Sequence, residues 1–321
     1  MKTIVRILVA CAALLVSGSA FAEQYPSKPV KIIIPFPAGG VTDIAGRLIA
    51  QRLSERLGQQ FYIENIGGAG GNIGMAQVAR APADGYTVLL SSSSVTVNPS
   101  LYASMPFDPE KDLAPVTKAG GSPNSWLVNP NFPAKNMKEL VDIIKKEPGK
   151  HSVGSPGAGT TPSLAIEQLK HDLQLNFVTV PFAGGGPMTQ SLLGGHVPIV
   201  CGAIGNSVAL IKDGKIRALG ITDKKRLETL PDIPTLDEMG IKDQEGETMA
   251  GVFVPAGTPK EIIALLQKEI ATVVKSPDIK ARLLEVGVVP EGNTPAEFAA
   301  YLKADIAKWK KVIADAKIPK I

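Results

Sequence analysis

Short apolar runs alternate along the chain with stretches whose apolar positions share one helical face, the pattern of a mainly parallel sheet covered by helices. Residues 30–36 read as a strand, and 43–57 as a helix with Ile44, Leu48, Ile49, Leu53 and Leu57 along one side. A strand over 61–64, a helix over 72–80 and a strand over 87–90 continue the alternation into one α/β lobe. Residues 100–133 break it. There Pro, Gly and Asn interrupt two short extended runs, 114–118 and 126–129, which predicts a crossing between lobes. Alternation resumes with helices over 137–146, 161–171, 188–193 and 207–211 and strands over 151–155, 176–182, 199–204 and 216–221. A polar stretch over 230–247 predicts the return crossing, followed by a strand over 249–254 and three helices. The expected domains are 23–122 with 244–321, and 123–243.

Two of the last helices open with strong start signals. Thr258-Pro259-Lys260-Glu261 and Thr294-Pro295-Ala296-Glu297 each place a Thr at the cap, Pro at the first helical position and Glu three residues after the cap. The final helix carries Phe298, Tyr301, Leu302, Ile306, Trp309 and Ile313 at helical spacing, a stripe expected to clamp the C-terminus onto the first lobe.

The chain has 321 residues, 44% hydrophobic and 20% charged, which excludes disorder and suits two lobes. Residues 1–22 stand apart: a basic start, an apolar run and the small-residue site Ala20-Phe21-Ala22 read as a cleaved secretion signal. Leu8-Val9-Ala10-Cys11 resembles a lipoprotein box, but the apolar run continues past Cys11 to the better site, so lipid anchoring is not expected. Removing Lys2 and Arg6 takes the net charge from +4 to +2, too little to argue for nucleic acid or an anionic membrane. Cys201 alone survives cleavage, which excludes an intramolecular disulfide.

The candidate chemistry lies in an internal echo. Ile34-Pro35-Phe36-Pro37-Ala38-Gly39-Gly40 and Val180-Pro181-Phe182-Ala183-Gly184-Gly185-Gly186 each end a strand and precede a helix, and Ser155-Pro156-Gly157-Ala158-Gly159-Thr160 has the same placement. Open α/β sheets bind ligands at such strand ends. Glycine lets backbone N–H groups come close, and the helix start adds partial positive charge, so an anion can be held without a cationic side chain. The three loops contain no Lys, Arg, Asp, Glu or His. A ligand carboxylate held by backbone N–H groups and the Ser155 and Thr160 hydroxyls is the expectation, with the two lobes closing as jaws.

Other chemistries fit less well. Gly68-Ala69-Gly70-Gly71-Asn72-Ile73-Gly74 follows a strand and opens a helix, but its spacing is GxGxxxG and no acid follows the next strand, so it reads as a helix-packing turn and no dinucleotide is expected. Gly205-Asn206-Ser207-Val208-Ala209 fails as a nucleophile elbow at its last position. His151, His171 and His196 are too far apart for a local metal motif, and Cys201 in a strand reads as a small buried hydrophobe. Asp43, at the start of a helix, reads as an N-cap before a general base. No catalytic set, cofactor or metal is expected.

Several stretches resemble the substrate-binding proteins of tripartite tricarboxylate transporters, the Bug or TctC family, across essentially the whole mature chain. They are Pro35 to Asp43 with Arg47, Gly68 to Gly74, Asp84-Gly85-Tyr86-Thr87, Asn98 to Tyr102, Pro181-Phe182 with its Gly run, Arg217 to Gly220, Leu230 to Thr235 and Pro255 to Pro259. The resemblance implies a type II periplasmic binding protein of the Venus flytrap form: two lobes with a mainly parallel sheet in each, two interdomain crossings, and no covalent chemistry. It implies a monomer that captures a small organic carboxylate and delivers it to a TctA/TctB-type membrane permease. Carried onto this chain, the contacts fall on Phe36, Ala38, Gly39, Gly40 and Asp43 in the first lobe. They fall on Ser155, Gly157, Thr160, Ala183, Gly184 and Gly185 in the second, with Ser93 and Asn124 as further contributors. Ala183 stands where the family usually has Lys, Phe182 where it has Tyr, Ser163 where His is common, and Pro198 and Gly202 where Asp is frequent. The lost charges turn the expectation from amino acids and citrate-like polyanions toward a smaller or partly apolar carboxylate. A carboxylate sensor or scaffold acting through a protein partner and a periplasmic enzyme are the competing readings.

Overall fold

The computed structural model describes residues 25–321; the leader expected over 1–22, with Cys11, lies outside the described residues. The chain runs β1 (Val30–Ile34), α1 (Val41–Leu57), β2 (Phe61–Asn65), α2 (Asn72–Ala79), β3 (Thr87–Ser91), α3 (Ser94–Leu101), α4 (Pro109–Asp112) and β4 (Leu113–Val128). It continues through α5 (Met137–Lys146), β5 (Ser152–Ser155), α6 (Thr161–Asp172), β6 (Val178–Pro181), α7 (Gly185–Leu193), β7 (Ile199–Ala203), α8 (Val208–Lys212) and β8 (Arg217–Ile221). It returns through β9 (Glu247–Pro255), α9 (Lys260–Lys275), α10 (Pro277–Glu285), β10 (Val289–Pro290) and α11 (Pro295–Asp315).

The strands order as β2-β1-β3-β9-β4-β7-β5-β6, with β8 and β10 also on β4. The outer strands pair in parallel, β1 with β2 and β3, and β5 with β6 and β7. The strands that join the halves, β4 and β9, run antiparallel to their neighbours. Each half has its own core: Ile32, Ile34, Val88, Leu90 and Val252 pack under α1 and α9 in the first, and Trp126, Val153, Ile166, Ile199 and Leu219 pack in the second. This is a two-lobe α/β fold.

The first predicted crossing is made by β4, as one unbroken strand in place of two short runs. The runs 114–118 and 126–129 belong to one 16-residue strand whose first part pairs with β9 and β10 and whose end pairs with β7 and β8. Pairing on both sides overrides the local breakers, and register shifts between Pro115 and Thr117 and between Lys118 and Gly120 absorb the misfit. Helix α3 is also absent from the sequence prediction, because a Ser run opens it and Pro99 lies inside it.

Three chain segments meet where the lobes join. Asn124 N–H donates to Gly246 O at 3.2 Å, Thr222 N–H to Asn124 O at 2.9 Å, and Gly246 N–H to Thr222 O at 3.0 Å. The buried Thr222 hydroxyl donates to Gly246 O at 2.5 Å and accepts from Asn124 N–H at 3.1 Å. Beside this knot, the buried Lys118 ammonium pairs with Glu247 and, at 2.6 Å, with Glu291.

The two predicted capping boxes part company. Thr294 forms one, with reciprocal bonds to Glu297. Thr258 does not: its hydroxyl donates to Pro255 O at 2.7 Å, and α9 starts after Pro259 without a side-chain cap. The stripe on α11 is core, as expected, but it reaches further than the first lobe. Phe298 packs on Phe253 of β9 with ring centroids 5.1 Å apart, whereas Trp309 and Ile313 pack with Val97 and Leu101 of α3 and with Leu164 of α6 in the second lobe. Trp309→Ala should therefore cost about 3–5 kcal/mol, as large-to-small changes at well-packed buried aromatics do. Chemical denaturation measures it, and a loss below about 1 kcal/mol would refute this bridging role.

Candidate functional site

The three glycine-bearing loops follow the carboxyl ends of β1, β5 and β6 and face one another across the seam between the lobes. The lobes are closed. A Cβ added to Gly184 would lie 3.6 Å from Pro37 Cδ, and one added to Gly186 would lie 3.7 Å from Ala38 O and Gly39 O. Further along the seam, a Cβ on Gly70 would lie 2.8 Å from Ala158 O, so the positive φ of Gly70 serves a close approach between lobes. Gly74 packs α2 against Pro35 and Ile66, which agrees with the helix-packing reading of that motif.

A cavity of about 50 Å³ lies under the seam. Four helices begin on its wall: α1 at Gly40 to Asp43, α3 at Ser92 and Ser93, α6 at Thr160 to Pro162, and α7 at Gly184 and Gly185. None of the four has a side-chain N-cap bond; the same holds for α2, α8, α9 and α10, whereas α4, α5 and α11 are capped by Asp108, Asn136 and Thr294, so it is the convergence of the four starts and not the lack of caps that sets the cavity apart. The first backbone N–H groups of a helix have no partner within it, so four positive dipole ends converge on one space, with free donors from α1, α6 and α7; the first N–H groups of α3 bond to Ser92 Oγ, Ser92 O and Ser93 O. The wall holds no Lys, Arg or His.

Of the residues singled out from sequence, Phe36, Gly40, Asp43, Ser93, Thr160, Gly184 and Gly185 line the cavity. Ala38, Gly39, Asn124, Ser155, Gly157 and Ala183 do not. Ala38, Gly39 and Ala183 are exposed at the rim. Asn124 is buried in the joint between the lobes, where its Oδ1 accepts from Thr248 Oγ1 at 3.1 Å. Ser155 and Thr160 build their own loop: Gly157 N–H donates to Ser155 Oγ at 3.1 Å, and Thr160 Oγ1 donates to Gly157 O at 2.7 Å. The expectation that both hydroxyls donate to a ligand is thus corrected for Thr160, whose proton is already spent. Gly157 comes so close to Phe182 O that a Cβ would stand 2.7 Å away.

Asp43 is neither an N-cap nor a free base. Gly40 is the N-cap of α1, and Asp43 sits in the first turn, 3% exposed. Its carboxylate accepts from Gly39 N–H, from Arg47 Nε and Nη2 and from Asn65 Nδ2, all at 3.0 Å. Asn65 Nδ2 also reaches Phe36 O at 3.0 Å. Burial alone would raise the Asp43 pKa, but the bonds from Arg47, Gly39 and Asn65 outweigh it and hold the carboxyl below its ordinary range. The side chain braces the first loop, and the Gly39 N–H is spent on it.

Sequence reasoning missed Thr42, Ser92, Thr161, Ala203, Asn206 and Thr248 on the wall. Thr161 Oγ1 and Ser93 Oγ, from opposite lobes, both donate to Glu247 O, at 2.8 and 2.9 Å. Ala203 ends β7 and Asn206 follows it in a segment with no Gly-Pro signature like that of the other loops. Gly202, where the family often has Asp, faces Met188, whose Cε occupies the space an added Cβ would need.

The model of the tripartite tricarboxylate transporter family receptor matches residues 45–318. The periplasmic binding protein BugD is 34% identical and superposes with a TM-score of 0.88, covering 92% of this chain and 100% of that one. A Rhodopseudomonas palustris protein solved with adipate is 33% identical, with a TM-score of 0.90 over 93% of this chain and 100% of its own. MatC from the same organism, solved with bound malate, is 30% identical, with a TM-score of 0.85 over 90% of this chain and 100% of its own. The chain therefore belongs to the tripartite tricarboxylate transporter receptor family and has the fold of its Bug-type periplasmic binding proteins.

Proposed function

We propose that this protein is a periplasmic receptor that closes its lobes over a small organic carboxylate and delivers it to a tripartite tricarboxylate-type membrane transporter, without changing it chemically. The observation that carries this reading is the convergence of four uncapped helix starts on a cavity whose wall has no cationic side chain. A carboxylate supplies what those N–H groups lack, and charge-assisted bonds to an anion are stronger than neutral ones. The family membership and the adipate and malate held by relatives support the same class of ligand. The moving bodies are 23–122 with 244–321, and 123–243, hinged where Asn124, Thr222 and Gly246 meet. Among the singled-out residues, those on the wall form the ligand contacts, chiefly through backbone N–H groups, and those at the rim form the closing seam. Export follows from removal of residues 1–22.

Melting curves against a panel of short carboxylates and their neutral amides test the reading. A receptor is stabilised by the acids alone, by about 2.7 kcal/mol at a ligand concentration one hundred times Kd, and the acid is recovered unchanged. Stabilisation by the amides as strongly as by the acids would contradict it.

Asp43→Asn should lower stability at neutral pH by about 1–3 kcal/mol and weaken carboxylate binding, because the first loop loses its charged brace. The depressed carboxyl contributes fully above its ordinary pKa of 3.8, and that contribution is lost as pH falls below it. The gap between variant and wild type should therefore narrow in strong acid. Coincident melting curves at pH 7 would show that the brace contributes nothing.

A further inference from the structure

Asn206 has hydrogen-bonding capacity that the fold does not use. It ends a short helical turn, 204–206, held in place by Gly205 N–H donating to Ser122 Oγ at 3.1 Å and Ser207 N–H donating to Ile204 O at 2.8 Å. Its side chain lies over the start of α7, with Nδ2 in the space that a Cβ on Gly185 would need, so glycine at 185 is what leaves room for the amide. Oδ1 is buried without a hydrogen-bond partner, and no described group bonds Nδ2. In the first lobe Thr42, 6% exposed and on the wall of the same cavity, likewise has a hydroxyl without a partner among the described residues. Most neighbouring hydroxyls are committed: Ser93 and Thr161 to Glu247 O, Thr160 to Gly157 O, Thr248 to Asn124 Oδ1.

We propose that Asn206, with Thr42, reads a second and neutral group on the ligand, a hydroxyl, so that the receptor selects short hydroxycarboxylates. This deepens the carboxylate reading above and rests on it. A hydroxyl both donates and accepts at one atom and can satisfy an amide and a threonine together. A second carboxylate only accepts and has no proton to donate to the unpartnered Asn206 Oδ1. An ammonium group needs a free acid, and the Asp43 carboxylate is bound to Arg47. About 50 Å³ holds only a few water-sized groups, which limits the chain length. A site built to bond a hydroxyl rejects the analogue without it, because its buried polar groups are then left unpaired.

Isothermal titration of the mature protein with lactate, propionate and malonate tests this, together with Asn206→Leu and, as a smaller change, Asn206→Ser. Wild type should bind lactate at least about tenfold more tightly than propionate, and Asn206→Leu should reduce that preference to within about twofold while still binding both. Should Asn206→Leu fail to fold, the same loss of preference is expected of Asn206→Ser. Equal affinity of wild type for lactate and propionate, tighter binding of malonate, or a preference unaltered in the variants would overturn the assignment and leave the carboxylate receptor intact. Binding of no carboxylate by wild type would overturn both.

Discussion

Backbone N–H groups at a helix start must find acceptors, and this fold brings three such unsatisfied sets, those of α1, α6 and α7, to one place beside the start of α3. Helices α4, α5 and α11 meet part of this need with Asp108, Asn136 and Thr294, while α2, α8, α9 and α10 start elsewhere without a side-chain cap, so what is particular to the cavity is that its helix starts converge. At Gly40, Ser93, Thr160 and Gly184 no side chain caps the helix. The strands that end under those helices, the glycines that bring the loops together and the closed lobes all serve to bring these donors around one cavity. The one acid on the wall, Asp43, has its charge offset by Arg47 and its oxygens further occupied by Asn65 and by Gly39 N–H, so it does not compete for the helix-start donors.

One main-chain oxygen in the joint between the lobes holds the start of a helix from each side. Glu247 O accepts from Ser93 at the start of α3 and from Thr161 at the start of α6, one in each lobe. The side chain of the same residue reaches the other way, to Lys118 and, at 3.0 Å, to Tyr301 of α11. Helix α11 also spans the lobes through Trp309 and Leu164. One carbonyl thus anchors a helix start in each lobe, and the buried Lys118 pair with Glu247 and Glu291 gives that carbonyl a fixed support.

Much of this was legible in the sequence where a local signal coincided with the final structure. The outer strands and the helices between them follow from periodicity, and the Thr294 capping box follows from its residues. The Thr258 box fails because its hydroxyl finds Pro255 O instead of the helix. β4 stayed hidden because Gly120, Gly121 and Pro123 are breakers in isolation, and only pairing of Ser122 and Pro123 against Thr248 and Glu247 makes them strand. Loop glycines pointed to the cavity, since close approach needs them. Thr42 and Asn206 carry no such mark: a threonine in a first helical turn and an asparagine after a strand are ordinary until the lobes are closed around them.

The neutrality of the cavity wall has a kinetic side. Field lines from clustered lysines or arginines draw anions toward many sites and make their capture fall steeply as electrolyte rises. Here the attraction comes from dipoles whose reach ends within a turn of helix. On the proposed reading, uptake of an acid is therefore unsteered and slower at low salt than in a lysine-lined cleft, but proceeds at nearly the same rate in dilute and in concentrated media.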